Sequence, residues 1–188
     1  MHLNSPDTTG NGAAPGFGIP LDNIRYNDYI GRMTKQLQAE LKQKAPFTSL
    51  EEEVFLNVLK TGDALSQSVE HLLRVSGLSL TQYNVLRILR GAGSAGLTCG
   101  EAAERMVTHD PDVTRLLDRL EKRGLITRSR DARDRRVVTA RITHEGMRLL
   151  AAIDKPLAML HRRLFRHMPQ QDLKKLSSLL EQVRAGRE

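Results

Sequence analysis

The chain has no tryptophan, a single cysteine and only seven aromatic residues (three Tyr and four Phe) among 188. Its core must therefore be built mostly from aliphatic side chains. One cysteine, Cys99, cannot close an intrachain disulfide or build a structural zinc site alone. No apolar run approaches the roughly 18 residues of a membrane-spanning helix. The N-terminus lacks the basic-then-apolar pattern of a secretory signal. The expectation is a cytoplasmic chain in a reducing compartment, with no membrane partner. Signatures of catalysis are lacking too: there is no Gly-rich phosphate loop, nucleophile elbow or metal-hydrolase motif. The histidines are His2, His71, His109, His144, His161 and His167, and no two stand four residues apart on one helix face. The sequence thus predicts no enzyme, no metal site and no cofactor.

What the chain does have is positive charge. Lys and Arg number 29 against 22 Asp and Glu, a net charge of +7. Residues 1–97 are balanced, with 9 basic and 9 acidic side chains, whereas residues 147–188 carry 9 and 4. The window 113–141 holds 10 basic and 4 acidic residues. Such a bias makes an anionic partner worth testing, though most charge runs are simply solvated surface.

Punctuation by Gly, Pro and capping residues divides the chain. Residues 1–28 are rich in Gly, Pro, Asn and Asp without a periodic apolar face, and read as a disordered tail. Helical spacing of Ile30, Met33, Leu37 and Leu41 predicts a helix over 29–42, broken at Pro46. Ser49 and Glu52 suggest a capping box opening a helix that ends near Ser76-Gly77. Ser79 to Gln82 caps a helix through Leu89, followed by a loop over 91–96. Thr98 to Glu101 repeats the box and opens a short helix over 99–106, with Ala102, Ala103 and Met106 inward. Asp110-Pro111 then reads as cap and first residue of a helix running to Arg123, which Gly124 ends. Two alternating stretches, 125–130 and 137–142, flank the charged segment 131–136 and predict a two-stranded hairpin. Thr143 caps a long helix to about His167, kinked at Pro156, and Pro169 starts the last one.

The middle of this order carries the functional signal. On the 110–123 helix, Val113, Leu116, Leu117 and Leu120 share one face, while Pro111, Asp112, Thr114, Arg115, Asp118 and Lys122 lie opposite. A short helix, a turn, a capped second helix and a hairpin form a winged helix-turn-helix. In such units the second helix enters the major groove of DNA. The hairpin tip offers Arg133, Asp134, Arg135 and Arg136, and a minor groove attracts arginine. Alone, that tip would read as a solvated turn; directly after a helix-turn-helix it reads as a DNA contact.

At this point the chain resembles the MarR family of bacterial transcription regulators. The resemblance spans roughly Phe47 to Arg184. It rests on Pro111-Asp-Val-Thr-Arg-Leu-Leu-Asp-Arg-Leu-Glu-Lys-Arg-Gly-Leu-Ile-Thr-Arg128, then Asp134-Arg-Arg136, then Ile142-Thr-His-Glu-Gly146, in that order. It implies a mainly α fold with a small β-hairpin wing, the winged helix-turn-helix being flanked by dimerisation helices. The implied division is helices over 29–77 and 147–188 for dimerisation and a DNA-binding lobe over 78–146. By the same resemblance Arg136 is the minor-groove arginine and Asp134 its brace, while Thr114 and Arg115 meet DNA on the recognition helix. Asp110, Pro111 and Asp112 depart from the small hydroxyl or basic residues of many members, which implies a different binding site. The leucines of 173–183, with Leu157, Leu160 and Leu164, suit a dimer interface. A small-molecule effector cleft is implied near Leu65, Val69, His71, Leu72, Tyr83 and Arg87. Cys99, in the first turn of its helix, has two readings: a packing residue, or a redox-sensitive thiol.

The leading expectation is a homodimeric, sequence-specific regulator acting on double-stranded DNA at a pseudopalindromic operator, a repressor released by a ligand. The second is a non-catalytic winged-helix protein-interaction module with non-specific DNA affinity. The Asp-Pro-Asp start of the recognition helix is its best support.

Overall fold

A computed structural model describes residues 36–107, 112–130 and 137–186. The predicted tail, the start of the 29–42 helix, Asp110-Pro111 and the charged tip 131–136 lie outside these residues. The chain divides into two units, 1–58 and 59–188.

In the first unit, residues 36–41 are helical with Leu37 buried. Helix α1 (Leu50–Leu73) starts here and ends in the second unit. Its start departs from the expected box by one residue. Ser49 Oγ accepts from the Glu52 amide at 3.1 Å, but the Glu52 carboxylate accepts from both the amide and the hydroxyl of Thr48, each at 2.6 Å. Those two donors hold the Glu52 carboxyl below its ordinary pKa, the hydroxyl contributing most.

The second unit holds the core. After α1 a short turn, Arg74–Ser76, closes on Gly77. Helix α2 (Leu80–Ala92) follows with the full Ser79–Gln82 capping box. It runs three residues beyond the expected Leu89, because Gly91 and Ala92 continue the helical backbone until Gly93 turns to positive φ. The expected 91–96 loop is thus part helix, part tight turn (Gly93–Ala95). Strand β1 (Leu97–Thr98) was not foreseen, and two residues are too few to show alternation. Helix α3 (Cys99–Glu104) has the predicted Thr98–Glu101 box but stops before Met106. Ala102 is buried as expected, whereas Ala103 is exposed. Helix α4 (Val113–Lys122) precedes β2 (Ile126–Arg130), β3 (Val138–Ile142), α5 (His144–Leu164) and α6 (Gln170–Ala185). Thr143 caps α5, which continues through Pro156 and ends three residues before His167.

The wing is therefore three strands rather than two, in the order β1-β3-β2 and antiparallel throughout. Leu97 pairs with Ala140, and Ile126 through Arg130 pair with Ile142 through Val138. Gly96 lets β1 reach β3. Its φ is +71°, and a Cβ there would stand 2.5 Å from the Ala140 carbonyl oxygen. Under the sheet lies a wholly aliphatic buried core drawn from α1 to α5 and the strands, including Leu73, Leu86, Leu89, Leu120, Ile126 and Leu150.

Leu157 and Leu160, expected at a dimer interface, are buried within this chain, and Leu164 packs half-buried against the same core. They sit on the α5 face that also carries Leu150 and Ile153, at helical spacing. Helix α6 buries nothing: Leu176, Leu179 and Val183 are exposed. No described helix is long and apolar enough to cross a membrane.

Two expectations follow for stability. Gly96→Ala should cost about 2 kcal/mol or more, from strain and a backbone clash together. Gly100→Ala, where a Cβ meets nothing within 4 Å, should stay within about 1 kcal/mol of the natural chain; urea unfolding of both variants compares them. The Glu101 carboxyl is also held below its ordinary value of 4.5, first by the Thr98 amide and then by its hydroxyl. A depressed carboxylate contributes stability that is present above the unfolded pKa and lost as pH falls through the folded one. The protection factor of the Thr98 amide, its exchange rate corrected for the intrinsic pH dependence, should therefore fall as pH drops below about 4.5, and Glu101→Gln should flatten that fall.

Candidate nucleic-acid interface

The candidate interface is built on α4. Its inner face is closed: Val113, Leu116, Leu117 and Leu120 are all buried, as the helical wheel predicts. Of the remaining positions, Thr114, Arg115, Arg119 and Lys122 are exposed. The helix start is not where the sequence placed it. Asp112, not Asp110, is the N-cap, with non-helical backbone (φ −124°, ψ 46°) and Oδ1 accepting from the Arg115 amide at 3.3 Å. Its Oδ2 lies 3.2 Å from Arg115 Nε. Asp112 is thus occupied as a cap.

Asp118 is also reassigned. Its Oδ1 pairs with Arg128 Nη2 at 2.6 Å, so it faces the wing rather than the outer surface. Arg128, on β2, reaches Glu121 as well: Nη2 lies 2.7 Å and Nε 2.9 Å from Oε2, while its backbone amide donates to Oε1 at 3.0 Å. These carboxylates raise the Arg128 pKa, Glu121 most, so its charge is permanent. The sequence reading missed this cluster. Its signal was a carboxylate at Asp118 and another at Glu121, one turn apart, followed by an arginine at the third position of the next strand. At the far end of α4, Arg123 donates to the carbonyls of Gly77 (2.7 Å) and Ser76 (3.2 Å).

Cys99 is half-buried, with Sγ 3.5 Å from Thr114 Oγ1. It stands where α3 meets α4, beside a cavity of about 430 Å³ lined also by Leu117, Arg128 and Val138. Of the predicted DNA contacts, Asp112, Thr114 and Arg115 share one end of α4. Pro111, Arg133, Asp134, Arg135 and Arg136 lie outside the described residues.

The predicted effector residues do not share one cleft. Val69, Tyr83 and Arg87 line a cavity of about 500 Å³ with Leu80, Leu157 and His161. His71 and Leu72 line another groove, beside Pro156 and Met159. Leu65, half-buried, is not among the residues lining either. In the first cavity Arg87 Nη2 donates to Asn84 Oδ1 at 3.0 Å. Burial raises the Tyr83 pKa, partly opposed by Arg87, so the phenol keeps its proton. Nearby, Arg90 grips Asp154 through both terminal nitrogens, at 2.8 and 3.0 Å, and joins α2 to α5. Among the described residues no cluster of His, Cys, Asp or Glu could hold a metal ion.

The family model for MarR matches residues 78–138, which span α2, β1, α3, α4 and β2 and stop at the first residue of β3. A MarR transcription factor from Planctomyces limnophilus is 36% identical, with a TM-score of 0.57 over 72% of this chain and 98% of that one. The chain belongs to the MarR family. A repressor from Bacillus subtilis, MdtR, is 41% identical over 70 residues, which cover 37% of this chain and 44% of that repressor's length. The structure of CouR from Rhodococcus jostii RHA1, bound to p-coumaroyl-CoA, is 26% identical, with a TM-score of 0.61 over 73% of this chain and 95% of that one. In this MarR protein the wing and α4 are joined by packing and by the Arg128 cluster.

Arg128→Met tests that joint. It leaves Asp118 and Glu121 as like charges without their shared partner. Because all three side chains are partly exposed (26%, 42% and 37%), the cost is discounted to about 1 kcal/mol. Faster amide exchange at Arg128 and a modest fall in urea midpoint are the expected readouts.

Proposed function

We propose that this protein is a homodimeric transcription regulator that binds a pseudopalindromic DNA operator sequence-specifically, acting as a repressor released by a small molecule. One observation carries the reading. A helix with a fully buried inner face presents Thr114 and Arg115 on its outer side, immediately ahead of a paired hairpin. That is the arrangement that sets an N-terminal half-helix against base edges. Family membership supports it, as does the repressor name of MdtR.

The dimer rests on apolar surface that a single chain leaves in water. Val54, Phe55 and Val58 are exposed in the first unit, and Leu176, Leu179 and Val183 in the second. Recurrence of Leu176, Leu179 and Val183 at three- and four-residue steps gives α6 one apolar stripe and no core to meet it. In this reading 29–77 and 147–188 dimerise, and 78–146 reads DNA. Two-fold symmetry then calls for half-sites one helical turn apart.

Ligand release is assigned to the cavity of Val69, Tyr83 and Arg87. Its volume of about 500 Å³ suits a small molecule. A protonated phenol and a guanidinium beside Val69, Leu80 and Leu157 fit an amphipathic ligand with a hydrogen-bond-accepting end, while Glu70 on the same lining disfavours a high negative charge. CouR holds p-coumaroyl-CoA. A molecule that binds the form with the wrong helix spacing more tightly would release DNA.

Fluorescence titration against DNA from the protein's own upstream region, beside scrambled DNA and across a salt series, tests this. Preference of roughly a thousandfold for one palindromic segment is expected. Arg115→Ala and Arg136→Ala should each weaken that binding about tenfold. Equal, steeply salt-dependent binding to both DNAs would favour the interaction-module reading instead.

A further inference from the structure

We propose that Asp112 is a positioning residue that presents Arg115 to a guanine, so that the pair, rather than a lone arginine, sets the base preference of α4. This rests on the DNA-binding reading above. The Asp112 carboxylate holds one residue twice. Oδ1 takes the Arg115 amide at 3.3 Å, and Oδ2 lies 3.2 Å from Nε of the same side chain. Helix start and arginine rotamer are thereby fixed by one group. Arg115 is otherwise open to solvent (its side chain is 77% exposed), since Leu116 and Leu117 take the inner face.

Two other arginines beside α4 are committed elsewhere, whereas Arg119, one turn on from Arg115, is exposed like it but has no carboxylate within ion-pair distance among the described residues. Arg123 serves the Ser76 and Gly77 carbonyls, and Arg128 serves Asp118 and Glu121. With Nε turned to Asp112, Arg115 offers the two terminal nitrogens of its fork outward. Two parallel donors match two adjacent acceptors, which guanine presents in the major groove as O6 and N7. Adenine sets a donor beside N7, thymine offers one acceptor beside a methyl group, and cytosine presents a donor, so none of these satisfies the fork. A lone arginine would suit a phosphate equally well. The attached carboxylate cancels its charge and repels phosphate, which tilts the pair toward the uncharged base edge. The acidic start of this helix, unfavourable for simple phosphate binding, thus becomes a device for selectivity.

Asp112→Asn separates the roles, because asparagine caps a helix about as well as aspartate but carries no charge to hold Nε. The test selects binders from a randomised duplex pool with the natural chain, Asp112→Asn and Arg115→Ala. The natural chain should enrich one guanine per half-site, and Arg115→Ala should lose that preference. Asp112→Asn should lose it by about tenfold, with an unchanged melting temperature and tighter binding to random duplex, since a negative charge is gone. A merely structural role would lower the melting temperature and weaken all sequences alike. Full guanine preference in Asp112→Asn, or its survival in Arg115→Ala, would overturn the inference while leaving DNA reading intact. No enrichment by the natural chain would overturn the DNA-binding reading and the inference with it.

Discussion

Arg128 belongs to a strand but directs its hydrogen bonds at a helix, and the geometry of the reading surface depends on that. Its side chain meets Asp118 and Glu121 of α4, and its backbone amide meets Glu121 again. Carboxylates on neighbouring turns would otherwise repel one another and leave α4 with two unbalanced charges beside β2. One guanidinium settles both, and the angle between helix and sheet is fixed with it. Leu117, Leu120 and Ile126 fill the space beneath. In the proposed DNA-binding reading, such a joint limits swing between helix and wing that would otherwise be lost as entropy on binding.

Much of the fold was legible because its punctuation is local. The Ser79–Gln82 and Thr98–Glu101 boxes, Gly124 and Thr143 each act within three residues, and each stands where the sequence put it. The inner face of α4 followed from the spacing of four apolar residues. What escaped was decided by distant partners. Strand β1 exists because β3 offers it an edge, not because Leu97-Thr98 has any pattern. Asp118 seemed outward-facing on a helical wheel, yet Arg128 draws it toward the wing. Asp112 displaced Asp110 as cap, and two acidic residues flanking one proline give the sequence no means of choosing between them.

The same distinction separates the clefts. Spacing along α1 puts Leu65, Val69 and Leu72 on one broad face, but α2 and α5 divide that face. Val69 joins Tyr83 and Arg87 on one side, while Leu72 falls beside Pro156 on the other. Leu157 and Leu160 show the reverse error: their spacing suits either an interface or a core, and Leu150 and Ile153 on the same stripe bring them into the core.

Arg123 is fastened to the carbonyls of Ser76 and Gly77, so the last turn of α4 is anchored to the end of α1 by hydrogen bonds rather than by a shared hydrophobic layer alone. Hydrogen bonds of this length tolerate rotation far better than stretching. The joint therefore acts as a pivot. A rotation of the last turn of α4 about that point can keep both hydrogen bonds, whereas drawing it away from Ser76 and Gly77 would break them.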